Sequence, residues 1–366
     1  MRKQTLIIVS VSTLAVLWWV SFNLAVLLGF RIFRQVIEPN ERIVFVTNSN
    51  LETEPGIRVL DANNPTFKVL SVEPHRVDVK WENTRIKLKE ATCRLKKLDG
   101  SLVYVTGRLN DRQYPIIIDT GCGFELVVND MIVKDNQLEI FPFEYQQGTL
   151  AGLCSVEKIE IGEMTITTPP CLYTLNHYEK RVFGRTKWKQ RQILFGLGLL
   201  HRFRYFLIDN VASQVELSMS ESFRADPAQT WQQYPLSVEK SKTNAKKLMV
   251  RIIIAGQEAK ATLDTGTNWS LTVSQSVWST LETKLHVLSE SRGQAQFFNG
   301  WNDINTITVK ELNVGEKCMV QTTIVVLADS IFGEDCVIIG MDYFKDTIVV
   351  IDFEHNLLWV RKPESL

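Results

Sequence analysis

The stretches "PIIIDTGCGFEL", Pro115 to Leu126, and "KATLDTGTNWSL", Lys260 to Leu271, each set Asp-Thr-Gly at the end of an apolar strand and just ahead of a second apolar run. One copy has an ordinary explanation, because Asp and Gly are turn-forming residues. Two copies in matching surroundings ask for more. After Asp119 the string "ILFGLGLLHRFRYFLID" runs from Ile193 to Asp209, and after Asp264 "VIIGMDYFKDTIVVID" runs from Val337 to Asp352. The offsets from Asp119 to Asp264, Gly196 to Gly340 and Asp209 to Asp352 are 145, 144 and 143 positions. Self-similarity at so even a spacing points to two matching halves.

The correspondence extends upstream. "SLVYVTGRLNDRQYPIII" and "KKLMVRIIIAGQEAKATL" each read as two apolar strands around a turn, at Asn110-Asp111 and at Ala255-Gly256. Further short strands follow each Asp-Thr-Gly, so the chain is mostly β. Only "GLLHRF" and "MDYFKD" read as short helical turns, and "SQSVWSTLETKL" as a modest helix. The expected organisation is a membrane anchor over residues 1–34, a juxtamembrane β-rich spacer or prosegment over 35–99, a first lobe over 100–220, a polar connector with Pro227 and Pro235 over 221–245, and a second lobe over 246–366.

Such halves suit a shared carboxylate site. Each strand delivers one Asp to the boundary between halves, and Gly121 or Gly266 lets the backbone turn tightly beside it. Two carboxyls in contact do not both ionise readily, so one holds the proton while the other acts as base, and their titration belongs to the pair. A water between them can then be activated against a peptide carbonyl without a covalent intermediate.

With these elements in place the sequence resembles the aspartic proteases. The matching residues are Asp119-Thr120-Gly121 with Leu194-Phe195-Gly196, and Asp264-Thr265-Gly266 with Ile338-Ile339-Gly340. The compact halves are more similar to a fused pair of retroviral-type subunits than to a full pepsin. The resemblance implies a bilobal fold of two homologous β-barrel-like lobes with the cleft between them. It also implies that Asp119 and Asp264 form the catalytic dyad. Thr120 and Thr265 would bond across the lobe interface, and the apolar-apolar-Gly segments would thread beside the catalytic loops. Thr267 stands where the family places a small polar residue, whereas Cys122 departs from that pattern, and a thiol is a weaker donor. A thiol nucleophile at Cys122 is the rival chemistry, but no His lies near it in sequence and the chain holds only 5 His.

The family covers its substrate with a flap hairpin. "YQQGTLAG", from Tyr145, and "RGQAQFFNGW", from Arg292, are the candidates, with Tyr145, Gly148, Phe297 and Gly300 as flap residues. An ordinary half-buried strand tyrosine is the alternative for Tyr145. Ahead of Ile193, "EKRVFGRTKWKQRQ" is basic, and ahead of Val337, "ADSIFGEDC" is acidic. Charge runs of this kind are commonly solvated loops, and a cleft polarised between its two sides is the sharper reading.

Bulk properties bound the rest. The 366 residues are 45% hydrophobic, with 41 Lys plus Arg against 41 Asp plus Glu, so nothing invites nucleic acid. Leu6 to Phe30 is an uncharged run long enough to span a bilayer as a helix, with Arg2 and Lys3 on one side and Arg31, Arg34 and Arg42 on the other. Those charges do not decide orientation; an uncleaved signal anchor with the catalytic part outside the cytoplasm is the expectation. The 6 cysteines lack zinc-site spacing. Cys154 with Cys171, and Cys318 with Cys336, could each close a loop in an oxidising compartment, or all could be buried free thiols. No metal or cofactor is expected, the partner is a polypeptide substrate, and one chain carrying both aspartates suits a monomer. The expected activity is that of a membrane-anchored aspartic endopeptidase; the alternative is a silent relative that binds peptide or polysaccharide in the same cleft.

Overall fold

Alternation of apolar and polar side chains makes most of this chain strand. A computed structural model describes residues 33–36, 67–73, 76–81, 85–98, 101–145, 149–174, 177–182, 185–240, 246–297 and 300–361, and these are mostly β. The expected anchor over residues 6–30 lies outside the described residues. Among the described residues no helix is long and apolar enough to cross a membrane.

The two halves run through the same series of pairings. The hairpin Tyr104–Leu109 with Arg112–Asp119 turns at Asn110 and Asp111, whose φ angles are 46° and 67°. The hairpin Lys246–Ile254 with Gln257–Leu263 turns at Ala255 and Gly256, with φ of 48° and 79°. Two consecutive positive φ values make the tight turn whose twist matches that of the flanking strands. Beyond each Asp-Thr-Gly, a buried strand (Leu126–Asn129 or Leu271–Ser274) leads into a helix (Asp130–Asn136 or Gln275–Glu282). The caps correspond too: the Asn129 side chain accepts from Ile132 N, and that of Ser274 from Val277 N. The second helix matches the sequence reading, and the first was not anticipated.

In each half the apolar-apolar-Gly strand is inserted between the strands that flank Asp-Thr-Gly. Ile193–Gly196 pairs in parallel with Arg112–Asp119, placing Gly196 opposite Asp119, and antiparallel with Leu126–Asn129. Val337–Ile339 pairs in the same two senses with Gln257–Leu263 and Leu271–Ser274. A further strand completes each set in parallel: Cys171–Thr174 against Leu126–Asn129, and Lys317–Leu327 against Leu271–Ser274.

The halves meet edge to edge in one sheet. Trp231–Lys240, Leu357–Arg361, Ile348–Asp352, Tyr205–Asp209, Gln214–Ser218 and Thr92–Lys96 lie side by side in that order, and Tyr205 of the first half pairs with Asp352 of the second. A single cluster of buried residues, with Phe195, Phe206 and Phe344 among its largest members, draws on both halves.

Two stretches read as peripheral are strands of this body. Arg85–Leu88 and Thr92–Lys96 fall within the expected spacer, yet the first pairs with Met164–Thr167 and the second with Gln214–Ser218. Their charged residues point outward while Cys93 and Leu95 are buried, the alternation of a half-buried strand. The connector holds Trp231–Lys240, a 10-residue strand that bridges Leu357–Arg361 and Lys246–Ile254. Pro235 is accommodated where the strand passes from one neighbour to the other.

Candidate active site

Asp119 ends its strand and Asp264 directly follows its own, both at the boundary between the halves, and each carboxyl faces the glycine that follows the other. Each carboxyl is held by the loop that follows it. Asp119 Oδ1 accepts from Gly121 N at 2.8 Å and from Cys122 N at 3.0 Å. Asp264 Oδ1 accepts from Gly266 N at 2.8 Å.

The glycines leave room for the opposite carboxyl. A Cβ on Gly121 would lie 2.4 Å from Asp264 Cγ, and one on Gly266 would lie 2.4 Å from Asp119 Cγ. No side chain fits either place without displacing the acid of the other half.

Behind the carboxyls the threonines interlock. Thr120 Oγ1 donates to the Leu263 carbonyl at 2.7 Å and accepts from Thr265 N at 3.0 Å. Thr265 Oγ1 does the same with the Ile118 carbonyl at 2.7 Å and Thr120 N at 3.0 Å. Both threonines are buried, so four backbone groups of the strand ends are satisfied only by reaching across to the other half. The arrangement fixes the two strand ends against each other and with them the carboxyls.

Gly196 and Gly340 support the loops from below. A Cβ on Gly196 would fall 2.2 Å from the Phe124 carbonyl oxygen, and one on Gly340 2.2 Å from that of Trp269. The next residues close the contact, Leu197 N donating to Cys122 O and Met341 N to Thr267 O, at 2.8 and 2.9 Å. Close backbone approach is why a glycine recurs at this point in both halves.

Burial sets the electrostatics. Loss of hydration, the largest cause, raises both Asp119 and Asp264 above the ordinary carboxyl range, and the neighbouring Asp119 charge pushes Asp264 further. The pair therefore retains a shared proton at pH values where separate carboxyls would have lost theirs. Burial, then the Asp119 charge, pushes the Cys122 thiol up as well. A thiol so disfavoured as thiolate is poorly suited to act as a nucleophile.

Glu125 was not anticipated. Burial raises its carboxyl, while the charges of Lys246 and Arg202 oppose the shift. It packs where Gly198 has no side chain, since a Cβ there would be 2.7 Å from Glu125 Cδ. Lys246 N also donates to Gly123 O at 3.1 Å, joining the first half's loop to the second half's opening strand. The signal available in the sequence was an acid set directly before the apolar run "LVV".

Both candidate flaps lie on hairpins. Ile140–Tyr145 pairs with Thr149–Cys154, placing Tyr145 opposite Thr149, and Val287–Phe297 pairs with Gly300–Val314, placing Phe297 opposite Gly300. Gly148 lies outside the described residues. The basic stretch is a hairpin, His177–Val182 with Arg185–Lys189, which pairs with Phe33–Val36, whereas the acidic stretch carries the short helix Asp329–Phe332. A cleft of about 590 Å³ lined by Arg292, Asp303, Asn305 and Asp329 lies at the second hairpin, and neither aspartate of the pair lines it. Among the described residues no group of three or more His, Cys, Asp or Glu could hold a metal ion.

Residues 250–346 match the family described as gag-polyprotein putative aspartyl protease. That span contains Asp264-Thr265-Gly266, the second hairpin and Ile338-Ile339-Gly340, and it leaves the first half outside. No curated protein matches the chain.

Proposed function

We propose, from the premise that this chain belongs to the aspartic protease superfamily and is retropepsin-like, that it is an endopeptidase whose Asp119 and Asp264 act together on one water. The observation that carries this reading is the packing of each carboxyl against the glycine loop of the other at the boundary of the halves. Like charges this close resist double ionisation, a behaviour known from the aspartic proteases themselves. The ionised member takes a proton from the water as it attacks the peptide carbonyl, and the protonated member donates to the carbonyl oxygen. The tetrahedral species then collapses as the amine leaves with a proton, and no bond to the protein forms.

In this reading each half is one barrel-like lobe, and the hairpins ending at Tyr145 and Phe297 cover the bound polypeptide. Both aspartates come from one chain, so a monomer suffices. The 25-residue run 6–30 holds the protein to a membrane as a single-pass anchor, with the catalytic part on the extracytoplasmic side. The support for the anchor is its length: at about 1.5 Å per residue it exceeds the roughly 30 Å hydrocarbon core.

The test is cleavage of a peptide library and of unfolded casein by the full chain and by Asp119→Asn and Asp264→Asn. Each single substitution should lower kcat/KM by at least about 10²-fold, because removing either partner dismantles the pair. The pH profile should be bell-shaped, with its alkaline limb above the ordinary aspartate value of about 3.9. Cleavage that survives either substitution would end the two-carboxylate reading. A peptide-binding protein without activity would show retained binding and no turnover in all three chains.

A further inference from the structure

Cys154 and Cys171 lie on adjacent strands at the root of the first flap-like hairpin. Thr149–Cys154 is the inner strand of that hairpin, and it pairs antiparallel with Cys171–Thr174 through Ala151 opposite Thr174, Gly152 opposite Tyr173 and Leu153 opposite Leu172. One more step in this register sets Cys154 opposite Cys171. Directly opposed residues of an antiparallel pair have Cα atoms about 4.5–5.5 Å apart and side chains on the same face. That separation lies inside the range of about 4.4–6.8 Å that a disulfide spans.

Both side chains belong to the same buried core, at 1% and 0% exposure, and the two thiols are close enough to perturb each other. The Cys171 thiol also donates to its neighbour's carbonyl, Leu172 O, at 3.6 Å. The other sequence-suggested pair fails the same test. Cys318 lies at the start of Lys317–Leu327, opposite Asn313, whereas Cys336 O accepts from Ser274 N at the far end, where Ser274 pairs with Leu327. Nine residues of strand separate the two ends, roughly 30 Å at about 3.3 Å per residue.

We propose that Cys154 and Cys171 are a redox modification site: they form a cross-strand disulfide when the chain folds in an oxidising compartment, and this bond fastens the root of the hairpin to the strand beside it. The oxidant is a small-molecule disulfide. One cysteine thiolate attacks it and expels a thiolate, forming a mixed disulfide. The second cysteine, after losing its proton, attacks the protein sulfur of that bond and expels the other small thiolate. Two protein thiols lose two protons and two electrons, and one small disulfide becomes two thiols. Burial and the neighbouring thiol hold Cys171 well above the ordinary thiol range, so exchange in the closed protein is slow. The bond is therefore made before the hairpin closes over it, or through local opening of the sheet edge, where Ile140–Tyr145 is the outermost strand.

The inference does not depend on the hydrolytic reading, because its assay reads no catalysis. The full chain is refolded in oxidised glutathione, and separately in reduced glutathione. Remaining thiols are alkylated under denaturing conditions and the cysteine peptides mapped by mass spectrometry. The oxidised sample should contain one dominant linked pair, Cys154 with Cys171, and Cys154→Ser should release Cys171 to alkylation. Amide exchange across 149–154 should be slower by about tenfold or more in the linked protein. Full alkylation of both cysteines after refolding in oxidised glutathione, or linkage of either to another cysteine, overturns the proposal. Linkage without slower exchange in 149–154 overturns the fastening.

Discussion

The glycines at 121 and 266 are the most tightly constrained single positions in the site. Each loop uses its glycine twice, as a backbone donor to its own aspartate and as vacant space for the aspartate opposite. Gly121→Ala or Gly266→Ala should therefore reduce activity far more than stability. The added methyl would drive the opposite carboxyl away, with an overpacking cost of about 1–3 kcal/mol. Steady-state kinetics and thermal denaturation on the same preparations separate the two effects; unchanged kcat/KM in either variant would contradict the geometry. Cys122 offers a contrast, since its backbone N–H holds Asp119 while its thiol stays protonated.

The strands that deliver the aspartates are joined by the threonines rather than by a ladder of their own. Thr120→Ala removes one donor and one acceptor, leaving the Leu263 carbonyl and the Thr265 N–H without their partner. Leaving buried polar groups unpaired costs about 1–3 kcal/mol each, so chemical denaturation should show a loss of roughly 2–6 kcal/mol. Thr265→Ala should cost a similar amount, and the double variant less than the sum of the two, because both belong to one network. Additivity would show that the two threonines act separately. The turn after Ile348–Asp352 supplies a second link of this kind. Asp352 is fully buried and accepts from His355 N at 3.0 Å, is paired with His355 Nδ1 at 2.8 Å, and accepts from Trp359 Nε1 at 3.4 Å. Glu354 in the same turn pairs with Arg204 of the first half at 3.1 Å.

The hydrogen bond to Asp352, then that residue's charge, raises His355 above the ordinary histidine value, with Glu354 adding to and Arg204 opposing the shift. A raised histidine stabilises the native state fully below its unfolded pKa, and the contribution disappears as pH climbs through the raised value. The denaturation midpoint of the native chain should accordingly fall between about pH 5.5 and about pH 8.5 by more than that of His355→Gln. Equal falls in the two chains would assign the pH dependence elsewhere.

For the molecule as a unit, the sheet that joins the halves depends on a strand from ahead of the first hairpin. Thr92–Lys96 covers the edge of Gln214–Ser218 and buries Cys93 and Leu95. A chain lacking residues 1–83 should fold, whereas one lacking 1–98 should lose about 3 kcal/mol or more of apolar burial and expose a strand edge to self-association. Light scattering and thermal melts of the two truncations check this; equal behaviour would make the strand dispensable. The body begins earlier than the matched motifs do because Arg85–Leu88 pairs with Met164–Thr167 and Thr92–Lys96 with the last hairpin of its own half, neither with the strands around Asp119.

Much of this was legible in the residues themselves. The paired Asp-Thr-Gly, the apolar-apolar-Gly strands, the Asn110-Asp111 and Ala255-Gly256 turns and the helix over Gln275–Glu282 are all local patterns, and local backbone chemistry is enough to announce them. The spacer reads as β-rich, but the attachment of its strands to the lobes, and the strand in the connector, were not legible for a physical reason. "TRIKLKEATCRLKK" and "WQQYPLSVEK" carry as much charge or polarity as apolar surface, and only a neighbouring strand decides whether their apolar side is buried. The same holds for the cysteines, where spacing made both pairs plausible and register separated them, bringing Cys154 beside Cys171 and setting Cys318 and Cys336 at opposite ends of a strand. The contact of the two carboxyls, and the threonine exchange behind it, join residues 145 positions apart. Sequence determined which residues stand ready for that contact; only the folding of one half against the other could bring them together, because the threonine bonds that fix the two strand ends are made across the boundary.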